Sequence, residues 1–265
     1  MELTSGAYAD TAPLLSGALA DSESRIVDLC SGAGGPWPDL VTRLVQTRGR
    51  AIQVVLTDKF PLASDRTDDD APRGRLLSFH SASVDAMHVP QQLTGFRTLF
   101  SSFHHFRPAD ARLILKSAVE RGEGIAVFEA TRRHVPLIML AVLIPFVVLF
   151  GSPFVRPFGW SRLFWTYLVP LVPLIALFDG VVSCLRTYTP AELVELVEDL
   201  GGESYEWKTG IVKSRGAPFG VTYLIGRLGG EGGKRGKGEE GATGPTPSHR
   251  LQGRQGWQGW QERHA

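Results

Sequence analysis

The chain has 265 residues, and its 28 Lys and Arg against 27 Asp and Glu leave a formal net charge of +1. That balance excludes a strongly basic nucleic-acid binder and an acidic solvating protein. Two cysteines, Cys30 and Cys184, exclude a disulfide framework and a cysteine-built zinc site, and imply a reducing, cytosol-facing setting.

Residues 1–24 read as a mixed, mildly apolar helical lead-in, without the basic start and long apolar run of a secretory signal. From residue 25 to 131, short apolar runs alternate with turn signals and helical patterns, as repeated βα units on a parallel sheet require. The predicted strands are Arg25–Leu29, Ala51–Leu56, Arg75–Phe79, Thr98–Ser102 and Gly124–Phe128. Helical spacing places Leu40, Leu44 and Val45 on one face of Asp39–Thr47, and Ala111, Leu115, Ala118 and Val119 on one face of Pro108–Arg121.

Residues 132–185 break that pattern. Between Val135 and Leu185, 51 residues carry only Arg156, Arg162 and Asp179 as charges. Val135–Val155 is a stretch of 21 uncharged residues. As a helix it would be about 31 Å long, close to the hydrocarbon thickness of a bilayer. Leu163–Phe178 adds 16 more uncharged residues, and the intervening loop holds Trp160, a residue type favoured at membrane interfaces. The expectation is an apolar helical hairpin, since two crossings return the chain to the side where its sheet began. A lid over an acceptor pocket or a dimer interface is the soluble alternative, and Pro136, Pro145, Pro153, Pro170 and Pro173 interrupt straight helices.

The soluble pattern resumes after the insertion. Thr189-Pro190-Ala191-Glu192 reads as a capping box with proline at the first helical position, and Gly201-Gly202 as the helix stop. Tyr205–Val212 and Phe219–Arg227 read as two hairpin strands around Gly216-Ala217-Pro218. From Gly229 onward, 11 of 37 residues are glycine and 5 are apolar, so residues 229–265 are expected to be a disordered tail that includes Trp257 and Trp260.

Chemistry concentrates in Ile26-Val27-Asp28-Leu29-Cys30-Ser31-Gly32-Ala33-Gly34-Gly35. A strand running through a glycine turn into a helix brings backbone N–H groups close to a ligand, and the helix start favours an anion. The dinucleotide fingerprint requires a third glycine where Trp37 stands, and no Gly-Lys-Ser/Thr follows, so a P-loop is excluded. Asp58 ends the second strand, where an acid can accept from both hydroxyls of a ribose.

In these residues the chain resembles the class I S-adenosylmethionine-dependent methyltransferases. Asp28, Gly32 and Gly34 match the family's first motif, with Cys30 in place of its first glycine, and Asp58 falls at the ribose-binding acid. Ser83-Val84-Asp85-Ala86 with Pro90 resembles the third motif, whose acid meets the adenine amino group. Phe100-Ser101-Ser102-Phe103-His104-His105-Phe106 resembles the segment that passes the methyl donor. The likeness covers residues 20–131 and 186–228, with the insertion outside it. It implies a Rossmann-like α/β fold with a mostly parallel seven-stranded sheet whose last strand is antiparallel. It also implies S-adenosylmethionine as cofactor, held by Asp28, Cys30, Gly32, Gly34, Asp58, Asp85, Ala86 and Ser102.

Other readings stay open from the residues alone: a nicotinamide oxidoreductase, or a membrane-attached protein that binds S-adenosylmethionine without turnover. His104 and His105 are the candidate catalytic pair. Adjacent side chains diverge, so one at most faces a substrate, and packing or helix capping is the structural alternative. Glu129, at the end of the fifth strand, lines an acceptor pocket or is an ordinary strand-end charge. His80 and His88 show no ligand-like spacing, so no metal site is expected. The expected acceptor is small and lipophilic or membrane-resident, with the catalytic domain on the cytoplasmic face of a membrane.

Overall fold

The computed structural model describes residues 6–61, 76–156 and 158–229. Five parallel strands come first: β1 (Arg25–Asp28), β2 (Gln53–Leu56), β3 (Leu77–Phe79), β4 (Phe96–Phe100) and β5 (Ile125–Glu129). A hairpin of β6 (Tyr205–Ser214) and β7 (Ala217–Leu228) completes a seven-stranded sheet in the order β3-β2-β1-β4-β5-β7-β6. β7 alone runs against the rest, pairing with β5 from Ile125 opposite Gly226 to Glu129 opposite Thr222. This is the Rossmann-like sheet that the methyltransferase resemblance implies.

Central strands covered on both faces should read as continuous apolar runs, and every residue of β4 and β5 is buried. Successive side chains alternate between two helical layers. Ile26, Val54, Phe100 and Phe128 pack with Leu15 of α1 (Ala12–Ala18) and with Trp37, Leu40 and Leu44 of α2 (Trp37–Arg48). Val27, Val55, Leu99 and Val127 face Ile114 and Leu115 of α3 (Pro108–Glu120) on the other side.

The insertion leaves the C-terminal end of β5. Its first arm comprises α4 (Val135–Ala141), α5 (Ile144–Gly151) and a 3-10 turn at Ser152–Phe154. The second arm comprises α6 (Trp160–Leu163), a π-helical turn at Phe164–Leu168, and α7 (Leu171–Arg186). Gly180 lets the arms approach, since a Cβ there would lie 2.4 Å from Ile144 Cδ1. The ends of the insertion are clasped: Thr131 Oγ1 lies 2.7 Å from Thr187 Oγ1, and Arg133 pairs with Glu192 at 2.9 Å. α8 (Pro190–Val197) then returns to the α3 layer, and its capping box forms as expected, with the Thr189 side chain and Glu192 bonded reciprocally.

Some boundaries differ from the sequence reading. The second arm is not one straight segment over Leu163–Phe178: it bends by 77° between Leu168 and Leu171. Pro170 sits at the break, where it lacks an N–H and crowds the preceding turn. β4 begins and ends two residues before Thr98–Ser102, because Ser101 takes a left-handed φ of +47° and stops the strand. The β6–β7 turn is Arg215-Gly216, with Ala217 and Pro218 inside β7, and α8 ends before Gly201. Arg75, residues 1–5 of the lead-in, and the tail from residue 230 with Trp257 and Trp260 lie outside the described residues.

Candidate active site

The C-terminal ends of the parallel strands form a crest. Its left half is the glycine loop after β1, which the chain ties down from below. Asp28 is buried, with Oδ2 accepting from Ser31 Oγ at 2.6 Å and Oδ1 from Thr98 Oγ1 at 2.6 Å. Burial pushes its carboxyl up to about 6, against the lowering effect of those hydroxyls. Asp28 is therefore a brace beneath the loop, not part of its open face.

The loop itself is left-handed at Cys30 (φ +59°), Gly32 (φ +53°) and Gly34 (φ +106°). A side chain at such φ values is strained, so Cys30 stands at a position that glycine would occupy without strain. Burial, followed by the neighbouring Asp58, Asp28 and Asp85, pushes the Cys30 thiol up to about 12, so it stays protonated and is no nucleophile. Open space lies where Cβ atoms of Gly32 and Gly35 would point.

Asp58 closes over this bend. Its Oδ2 accepts from Gly32 N at 2.8 Å and its Oδ1 from Phe60 N at 2.8 Å. A carboxylate has roughly four acceptor sites, so lone pairs remain for two hydroxyls. A shallow depression opens here, lined by Gly32, Thr57, Asp58, Pro61, Phe79 and His80.

Asp85 sits on the far side, paired with Lys59 Nζ at 2.9 Å and accepting from Met87 N at 2.9 Å. The Lys59 hydrogen bond is the main influence holding its carboxyl below the usual range. Val84 N donates to Asp58 O at 2.9 Å, which sets this segment against Asp58, with Ala86 buried behind it. Ser102, just past β4, is buried with its side chain against the Cys30 thiol.

The right half of the crest is built from side chains. Glu129 is buried, and donors from its own chain converge on it: Phe103 N at 2.7 Å, His104 N at 3.3 Å, His104 Nδ1 at 2.7 Å and Thr131 Oγ1 at 3.3 Å. Its oxygens are thus engaged by the turn at Phe103–His105 and by Thr131, where the sequence left open an acceptor-pocket wall or an ordinary strand-end charge. With Nδ1–H given to Glu129, the His104 lone pair is at Nε2. His105 is exposed at one edge, its ring 4.2 Å from that of His104, and partial desolvation followed by the neighbouring His104 holds its pKa below the usual histidine value. Of the two histidines, His104 is the oriented one. Among the described residues no group of three or more His, Cys, Asp or Glu is placed to hold a metal ion.

Sequence reasoning missed Tyr8. Its hydroxyl bonds Ser101 Oγ and accepts from Ala130 N at 3.1 Å, across separations of 93 and 122 positions that no local spacing reveals.

No protein-family model and no curated protein matches the chain. Among solved structures, the chain is similar to the pyocyanin biosynthetic protein PhzM, at 15% identity over 84% of this chain and 54% of that one, with a TM-score of 0.48. It is also similar to human N-acetylserotonin methyltransferase in complex with SAM, at 14% identity over 87% and 52%, with a TM-score of 0.46. The methyltransferase domain of bacterial CtHen1-C aligns at 12% identity over 86% of this chain and all of that one, with a TM-score of 0.49. The chain spans about half the length of the first two. At these values the functional reading rests on the chain's own sheet order and crest.

Proposed function

We propose that the chain is an S-adenosylmethionine-dependent methyltransferase acting on a small, lipophilic or membrane-resident acceptor. The observation that carries this reading is Asp58 locked 2.8 Å from the Gly32 amide, beside open space above the glycine bend, on a 3-2-1-4-5-7-6 sheet. Asp58 would hold the ribose hydroxyls, the Gly32–Gly35 backbone and Ser102 the methionine end, and Asp85 with Ala86 the adenine. When bound, the cofactor supplies a methyl group already activated as a sulfonium, so the protein's main task is alignment. For an acceptor that loses a proton, His104 Nε2 receives it, while Glu129 fixes the ring and balances the imidazolium charge. Trp37, fully buried at the start of α2, fills the place where a dinucleotide fold needs a glycine, which disfavours the nicotinamide reading.

Calorimetry with S-adenosylmethionine tests the donor site. Asp58→Ala should weaken binding by about 1–3 kcal/mol, roughly 10- to 100-fold, as for other charge-assisted hydrogen bonds. Equal affinity in the two proteins would remove Asp58 from the site. Incubation of the protein with labelled donor and a membrane extract tests the acceptor class: label should enter the organic phase, and label confined to water-soluble products would reject a lipophilic acceptor.

A further inference from the structure

We infer that the hairpin over residues 135–185 is a bilayer anchor that holds the crest against a lipid surface, so that the acceptor reaches His104 from the membrane. Only the acceptor's route rests on the methyl-transfer reading. The anchoring rests on the hairpin itself.

A helix that is apolar on every side normally lies inside a protein core or a membrane. The first arm turns Val135, Met139, Phe146, Val147, Phe150 and Phe154 outward and Ala141, Ile144 and Val148 inward, yet only 11% of its apolar stretch is buried. It is not a core helix. It also follows five strands of the sheet, unlike a signal sequence. Among the described residues, 22 of the 26 exposed large hydrophobic side chains belong to residues 135–185.

The polar atoms are arranged in the opposite sense. Ser152 Oγ and Thr166 Oγ1 face each other at 3.5 Å inside the hairpin, Thr166 Oγ1 donates to Arg162 O at 2.7 Å, and the Tyr167 hydroxyl donates to Leu149 O. Hydroxyls bonded within the hairpin, with most apolar side chains outward, suit a hydrocarbon solvent, and the exposed Asp179 of α7 lies on the side of His105. The two ends of the hairpin are marked differently. Arg132, Arg133 and Arg186 ring the neck, while Trp160, Trp165 and Tyr167 are exposed at the tip near Arg162, as residues at a membrane interface are. The 20-residue run from Val135 to Phe154 separates them, and it is about 30 Å long as a helix, close to a hydrocarbon core. A second copy of the chain would cover one face, whereas exposed apolar residues lie on both arms and around the tip.

The anchor and the candidate base share a wall. Arg186 Nη2 donates to His105 O at 3.0 Å, and Asp179 of α7 is near enough to His105 to raise its pKa against the burial that lowers it. Insertion of the hairpin therefore sets the His104 turn at the lipid surface. The chain enters and leaves the hairpin at Thr131 and Thr187, whose hydroxyl oxygens lie 2.7 Å apart, so the sheet stays on one side.

Flotation of the full chain with phosphatidylcholine–phosphatidylglycerol vesicles tests this. The wild type should float with the vesicles and resist an alkaline carbonate wash. Phe146→Glu with Phe150→Glu, on the outward face, should reduce partitioning by about 100-fold or more while S-adenosylmethionine affinity stays unchanged. A wild type that remains in the dense fraction as a soluble monomer or dimer overturns the anchor, as does a double variant that floats equally well. Flotation without donor binding overturns methyl transfer alone, and donor binding without flotation overturns the anchor alone.

Discussion

The two halves of the crest are built from different materials. On the left, backbone amides and strand-end acids make the site, and the loop is braced from beneath by Asp28, Ser31 and Thr98. On the right, a buried carboxylate gathers His104, two backbone amides and Thr131 into one cluster beside the inserted hairpin. A backbone-built site tolerates side-chain change but depends on loop shape, whereas a side-chain cluster fails when one donor or acceptor is lost. Donor affinity and turnover should therefore be separable by mutation.

Glu129→Gln makes the sharpest cut. The amide puts an N–H where four donors expect an acceptor, so His104 loses the partner that keeps its proton on Nδ1. Turnover should fall by about 10²- to 10⁴-fold, the range for a general base. Donor affinity should be unchanged. A variant that loses donor affinity and turnover together would erase the distinction between the halves.

The same division decides what could be read from the chain. The left half was legible because its parts are local: Asp28, Gly32 and Gly34 lie within one turn, and Asp58 ends the next strand. The sheet was legible for a related reason, since buried parallel strands announce themselves as apolar runs such as Ile125–Phe128. The roles of Glu129 and Tyr8 were not, because each is set by partners brought in from distant strands. Glu129 reads equally as an exposed strand-end charge until Phe103 and His104 are placed on it, 26 and 25 positions away. The hairpin's bend escaped as well: proline marks a break in a helix but not its angle, which packing decides.

pH sharpens the left side of the comparison. Asp28 holds its proton up to about pH 6 when folded, while an unfolded aspartate releases it near pH 4. Below about pH 4 both states are protonated and burial of Asp28 costs the fold least. Between about pH 4 and 6 the unfolded chain gives up the proton first, so stability falls as pH rises, by an amount on the order of 2–3 kcal/mol. Urea midpoints measured across that window should decline for the wild type and show a smaller slope for Asp28→Asn, which has no proton to lose. An equal slope in both proteins would mean that another group governs the acid limb and that Asp28 is ionised in the fold.

The smallest effect isolates loop shape from side-chain chemistry. At ordinary backbone angles alanine is more stabilising than glycine by roughly 0.5–1 kcal/mol, because glycine loses more freedom on folding. Cys30 has φ +59°, where a Cβ costs about 1–2 kcal/mol and glycine costs nothing. Cys30→Ala keeps that strain and Cys30→Gly removes it, so the usual order should reverse, with the glycine variant more stable by up to about 1 kcal/mol. Both variants lack the thiol, so loss of its packing cancels in the comparison. Both should bind S-adenosylmethionine, because the loop presents amides there rather than the cysteine side chain. If alanine proves the more stable, residue 30 is not held left-handed, and the bend that brings Gly32 to Asp58 must be drawn another way.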